Sequence, residues 1–188
     1  MKPPRQPFRF GKRVGPGLVL LLVGVAGCPP RPHAPAIQDE PVYQNSQEGF
    51  KFVPPEGWKM HGRAEFPPGP MPDERLLVEY KRVTAEKPAS LEVSMIDVAP
   101  EIDLASCLPD RGGEFGTWKL QGAVERLEIG GRPAARAVFA GQSGGENTHK
   151  EIVAVRRGRR VYYFTGIFLA GDGRARDQVR RAVASVSF

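Results

Sequence analysis

The 188-residue chain carries 27 Lys and Arg against 21 Asp and Glu, a formal net charge of +6 and a pI near 9.6. Five of the basic residues (Lys2, Arg5, Arg9, Lys12 and Arg13) stand in a leader without acidic residues, and residues 28–188 hold 22 basic against 21 acidic side chains. The high pI therefore belongs mostly to the leader, and net charge gives no ground for nucleic-acid binding by the rest of the chain.

The first element is an apolar run from Leu18 to Cys28 behind that basic stretch. A membrane-spanning helix needs about 20 apolar residues, so the run is roughly half long enough. A basic segment, a short apolar core and then small residues is the pattern of a secretory signal peptide. The run ends in Val25, Ala26, Gly27 and Cys28. This VAGC stretch resembles the lipobox of bacterial lipoproteins. The resemblance implies cleavage between Gly27 and Cys28, a diacylglyceryl group on the Cys28 thiol and a further acyl chain on its amine. One acyl chain holds a protein weakly and two or more hold it stably, so such a cysteine is a sufficient anchor. An ordinary signal peptide with a chance cysteine, or an uncleaved anchor, is the alternative.

Five prolines follow between Pro29 and Pro41. Proline favours extended polyproline geometry, so residues 28–47 are expected to be the lipidated cysteine and a tether holding the domain off the bilayer. His33 falls in this tether. With Cys28 acylated, Cys107 has no partner for an internal disulfide. Set among Leu104 and Leu108, it reads as a small hydrophobe rather than a reactive thiol.

Residues 48–188 are expected to form a single domain. Phe50 and Phe52 alternate with Lys51 in a short strand that Pro54 and Pro55 stop. In "RLLVEYKRV", Leu76, Val78 and Tyr80 alternate with Glu79 and Lys81. In "SLEVSMIDV", Leu91, Val93 and Met95 point one way. "PEIDLASCLPD" reads as a short helix ended by Pro109, and "RGGEFGTW" as a loop. "VERLEIGGRPAARAVFAGQ" reads as two strands around Gly130-Gly131. The clearest hairpin joins Ile152–Val155 to Val161–Leu169 across a turn at Arg157-Gly158. Its second strand is apolar on both alternations, Tyr162, Phe164 and Phe168 on one and Tyr163, Ile167 and Leu169 on the other, as a central strand covered on both sides should be. Asp172 is a candidate N-cap for a final helix whose stripe is Ala175, Val179, Ala182, Val183 and Val186.

The opening "GFKFVPPEGW", the pair "IGGRPAARAVF", the strand "RRVYYFTGIF" and the ending "VASVSF" together resemble, in order and spacing, the PsbP-like superfamily, which includes DcrB-like bacterial lipoproteins. The resemblance implies an α+β fold: a mostly antiparallel sheet with helices on both faces, closed by the C-terminal helix. It carries over no functional residue, since the shared positions are core and turns.

Two classes of function follow. One is a lipid-anchored, extracytoplasmic, non-catalytic binding or assembly module in the cell envelope, partnered by the membrane through its lipid and by an envelope protein or anionic surface, with no cofactor and no nucleic acid. The alternative is an envelope hydrolase or other enzyme. The sequence has no nucleophile elbow, metal-helix motif or phosphate loop: Ser143 in "GQSGG" lacks the G-x-S-x-G spacing and reads as a turn, and His61 and His149 have no second ligand at helical spacing. Charge is uneven, −6 over residues 28–125 and +7 over residues 126–188. This reads either as two halves complementing each other or as a basic face for an anionic partner. Arg156, Arg157, Arg159 and Arg160 bracket Gly158 and are the candidate contact to anionic headgroups or envelope polymers. A solvated, charged hairpin end is the alternative.

Overall fold

The computed structural model describes residues 41–61, 73–82, 87–111 and 118–188, all within one compact unit, Asp39–Phe188. The expected leader, the expected cleavage and lipidation site at Gly27 and Cys28, and His33 lie outside the described residues.

A hairpin opens the unit. Strand β1 (Tyr43–Asn45) pairs antiparallel with β2 (Phe50–Phe52). Residues 43–47, expected at the end of the tether, are thus folded onto the domain. The reason is aromatic: the Tyr43 ring lies 5.8 Å from Phe50, 5.3 Å from Phe52 and 6.5 Å edge-on from Tyr80, contacts worth more than their area alone.

The main sheet follows. It comprises β3 (Lys59–His61), β4 (Arg75–Arg82), β5 (Ala89–Asp97), β6 (Lys119–Leu120), β7 (Glu125–Ile129), β8 (Arg132–Ser143), β9 (Glu146–Arg157) and β10 (Arg160–Leu169). The order is β3-β4-β5-β10-β9-β8-β6, with β7 pairing the first part of β8, and every pair is antiparallel. Tight turns set three registers. Gly130-Gly131 and Gly144-Gly145 both sit at positive φ, as type I′ hairpins demand of both central residues. The Gly144-Gly145 turn is where "GQSGG" falls, with Ser143 the last residue of β8. The third turn is one residue later than expected: Arg157 pairs with Arg160, so the two-residue loop is Gly158-Arg159, with Gly158 at φ 62°.

β10 is central, flanked by β5 and β9, and alternates into two cores. Tyr162, Phe164 and Phe168 enter a core with Phe50, Phe52, Val93, Val153 and Val155; Val161 and Tyr163 enter a second with Ile96, Leu108, Ala137, Phe139 and Ile152, whereas Ile167 and Leu169, expected on that second face, are only half-buried. Helix α1 (Leu104–Arg111) covers the second face against β8 and β9. It runs through Pro109 rather than ending at it. Pro109 is only two residues from the helix end, so its missing N–H and ring disturb a single turn.

Helix α2 (Gly173–Ala184) covers the first face. The Asp172 carboxylate accepts from Ala175 N at 3.0 Å, the bond that starts the helix. Ala175, Val179, Ala182 and Val183 are buried, as the apolar stripe requires, Val186 is buried but lies past the helix end, and Gln178 joins the face by bonding the Trp58 indole N–H at 3.1 Å and the Glu56 carbonyl at 2.9 Å. The chain end returns to the opening hairpin, where Lys51 and Ser187 exchange main-chain bonds of 2.9 Å. The result is a mostly antiparallel sheet with a helix on each face, the α+β architecture expected.

Candidate functional site

Alternation along two paired strands decides where the four tip arginines go. Residues 153, 155 and 157 of β9 face α2, so Arg156 faces α1. Its guanidinium donates to the carbonyls of Ala99 (3.1 Å), Pro100 (2.8 Å) and Ile102 (2.6 Å), fastening the loop that leads into α1. Arg157 and Arg160 are cross-strand partners on the opposite face. The expected single cluster is therefore divided: Arg156 serves one side of the sheet, and Arg157, Arg159 and Arg160 share the other. Strand alternation with a two-residue loop is the sequence signal that separates them.

On the α2 side these three arginines, together with Ser46, Gln47, Glu48, Gly49, Asp97 and Tyr162, line an open depression of about 740 Å³. Arg157 Nη1 donates to the carbonyls of Glu48 (2.8 Å) and Gly49 (3.1 Å), and its guanidinium stands 5.6 Å over the Phe188 ring. Gly49 makes this seat available. It sits at φ 65°, and a Cβ there would lie 2.8 Å from Arg157 Nη1. Glu48 is the organising carboxylate. Its Oε2 accepts from Arg160 Nη1 at 2.8 Å, its Oε1 pairs with Arg75 at 3.3 Å, and the Tyr162 hydroxyl donates to its carbonyl at 3.2 Å. Asp97 stands 3.9 Å from Arg160 Nε. Burial pushes the Tyr162 phenol pKa up, against the opposing pull of Arg160. The Arg160 pKa is raised, first by its hydrogen bond with Tyr162 and then by the Glu48 charge, so the guanidinium stays cationic. The Arg159 side chain has no partner among the described residues.

Glu48, Tyr162 and Asp97 were not legible as site residues. Glu48 reads as one carboxylate in a polar turn, and its role comes from a contact 112 residues away in sequence.

Three further buried charge groups hold the sheet. Glu74 pairs with Arg111 at 2.5 Å, accepts from Ser94, and brings the Arg111 guanidinium to 3.5 Å over the Tyr163 ring. Glu151 takes a fork from Arg180 at 2.9–3.1 Å, with Arg136 at 3.8 Å. Asp172 pairs with Arg82, itself bonded to the Lys87 carbonyl at 2.8 Å. Charged groups this buried must be paired, and each pair ties elements distant in sequence.

The remaining sequence candidates are dispersed. Cys107 is half-buried on α1, its Sγ 3.4 Å from the Asp103 carbonyl. His61 is exposed on edge strand β3, and His149 lies edge-on to Phe168 at 6.3 Å. Among the described residues no group of three His, Cys, Asp or Glu is placed to hold a metal, and no helix is long and apolar enough to cross a membrane.

No family model and no curated protein matches the chain. Solved structures similar to it include one from Bacteroides thetaiotaomicron at 11% identity and TM-score 0.46, covering 73% of this chain and 44% of that one, so that this chain spans less than half of that longer protein. A second is a Pseudomonas aeruginosa protein of unknown function described as a putative regulator, at 17% identity and TM-score 0.43, covering 61% of this chain and 85% of that one. A third is LpqN of Mycobacterium tuberculosis, described as involved in cell envelope biogenesis, at 14% identity and TM-score 0.44, covering 69% of this chain and 90% of that one.

Proposed function

We propose that the protein is a bacterial lipoprotein, anchored by acyl chains on Cys28 at the extracytoplasmic face of a membrane, whose PsbP-like domain is a non-catalytic module for an anionic envelope surface. The anchoring half rests on the basic leader, the short apolar run and the VAGC stretch ending at Cys28. The binding half is carried by one observation: Arg157, Arg159 and Arg160 converge on an open depression with two of the three held in place. The Arg157 guanidinium, fixed through one nitrogen by two carbonyls, loses little entropy when an anion docks, and the forks of all three arginines match carboxylate and phosphate oxygens. The other buried charges are used to join strands and helices, a structural employment that favours binding over turnover.

The test is fractionation of cells producing the full chain, with external protease added to spheroplasts. The wild type should sit in the membrane fraction and be digested from outside. Cys28→Ser should leave the wild-type pattern, as a leader-bearing precursor or a soluble form without acyl mass. A wild type in the soluble cytoplasmic fraction contradicts the proposal.

A further inference from the structure

The depression contains an anion of its own. Glu48 lies on the arginine that an external anion would use, its side chain only 8% exposed, shared between Arg160 and Arg75. Arg157 spends one nitrogen on two carbonyls, and its Nε and Nη2 have no hydrogen-bond acceptor among the described residues. The geometry points to a receptor for a single phosphoryl group, clamped by Arg157, Arg159 and Arg160, with Glu48 as a built-in competitor for the same guanidinium. This rests on the anionic-surface reading above and narrows it to one chemical group.

Charge and shape select the ligand. The lining holds three arginines against Glu48 and Asp97, a surplus of one positive charge, which suits one phosphoryl group rather than a polyanion. Arg157 and Arg160 are direct cross-strand partners, so their Cβ atoms are about 5 Å apart. A carboxylate has two oxygens and saturates one fork. The non-bridging oxygens of a phosphoryl group, in a phosphodiester as in free phosphate, are set tetrahedrally about phosphorus rather than in one plane, and diverge enough for each to meet a different fork. Arg159, in the loop between them, adds a third donor from the rim. A phosphoryl group entering here meets the Glu48 carboxylate as a like charge and must draw Arg160 away from it. Glu48 therefore weakens the site and selects for ligands with a full negative charge.

The source of that group is either a lipid headgroup or a soluble phosphate. The experiment titrates the detergent-solubilised full chain by calorimetry with two probes, inorganic phosphate and glycerophosphoglycerol. Glu48→Gln keeps the side-chain volume and an acceptor for Tyr162 but removes the competing charge, so it should tighten binding of the preferred probe about tenfold. Arg159→Gln should weaken it several-fold, and Arg156→Gln, on the opposite face, should leave it unchanged. Preference for glycerophosphoglycerol assigns the group to a lipid headgroup, and preference for inorganic phosphate assigns it to a soluble source.

The inference is overturned if Glu48→Gln binds neither probe at about 10 mM, or if its gain is matched by Glu101→Gln, an exposed charge outside the depression. If Glu48→Gln fails to fold, Arg159→Gln decides alone, because that exposed side chain makes no hydrogen bond or ion pair among the described residues, and an unchanged affinity refutes the site. Cys28 processing is independent of these titrations: phosphate binding without acylation would defeat the anchor and leave the site, and acylation without phosphate binding the reverse.

Discussion

Gly166 on the central strand lies directly beneath Val179 of α2, and a Cβ at position 166 would fall 2.7 Å from Val179 Cγ1 and 3.1 Å from Cγ2. The helix settles on the sheet at this point because the strand offers no side chain there. Gly166→Ala forces the helix or the Val179 rotamer to shift and should destabilise the fold by about 1–3 kcal/mol. Adding Val179→Ala removes the clash, so the double variant should be more stable than the sum of the single effects. Urea denaturation of the four proteins measures that coupling, and strict additivity would contradict the packing.

All four tyrosines of the chain (Tyr43, Tyr80, Tyr162 and Tyr163) have raised pKa values. Burial is the leading cause in each, and for Tyr80 burial and then the Tyr43 charge push it up to about 12. A raised phenol favours the protonated folded form. Its stabilising effect is complete below the unfolded value of 10.0 and is lost as pH rises from there through the folded value. The absorbance titration of tyrosinate should therefore lag behind that of free tyrosine and coincide with loss of the folded far-UV signal. A full titration near pH 10 with the fold intact would contradict the burial.

Asp172 joins a helix cap to an ion pair. Burial alone would raise its carboxyl pKa, but the Arg82 hydrogen bond, the Ala175 N–H and the nearby positive charges outweigh burial, and the net direction is down from 3.8. A lowered carboxylate contributes stability above its unfolded value and loses it as pH falls through the folded one. Asp172→Ala should cost about 1–2 kcal/mol at neutral pH. The difference from wild type should begin to shrink as pH falls below 3.8 and close only below the folded value, where the wild-type carboxylate too is protonated. Thermal melts across that range check the convergence.

Arg180 supplies the fork that neutralises Glu151, whose side chain is 1% exposed. Arg180→Ala leaves that carboxylate with Arg136 at 3.8 Å as its remaining described ion-pair partner, and should destabilise by about 3 kcal/mol. Glu151→Gln with Arg180→Ala, which removes the buried charge as well, should recover part of the loss. A double variant no better than Arg180→Ala alone would show that the pairing is not what the position requires.

Alternation carried most of the fold. The two-faced burial of β10 up to Phe164, the Gly130-Gly131 hairpin, the Asp172 cap and the α2 stripe from Ala175 to Val183 are all local patterns, and each is where periodicity places it, while Ile167 and Leu169 stay half-buried and Val186 lies past the helix end. What local pattern could not supply was β1, whose Tyr43 is held by rings from β2 and β4, or β3 and β6, which are too short to show a period. The site divided in the same way. Arg157, Arg159 and Arg160 stand out as a basic run around a glycine. Glu48 and Tyr162 complete the depression only because β2 and β10 meet across the first core, a contact that composition and spacing do not encode.

The central claim is that Cys28 carries the protein's anchor, and intact mass of the full-length product extracted from membranes tests it most directly. The account predicts a chain lacking residues 1–27 and heavier than the remaining polypeptide by its acyl groups, with that added mass absent from Cys28→Ser. A chain that retains Met1 and bears an unmodified Cys28 thiol would contradict it.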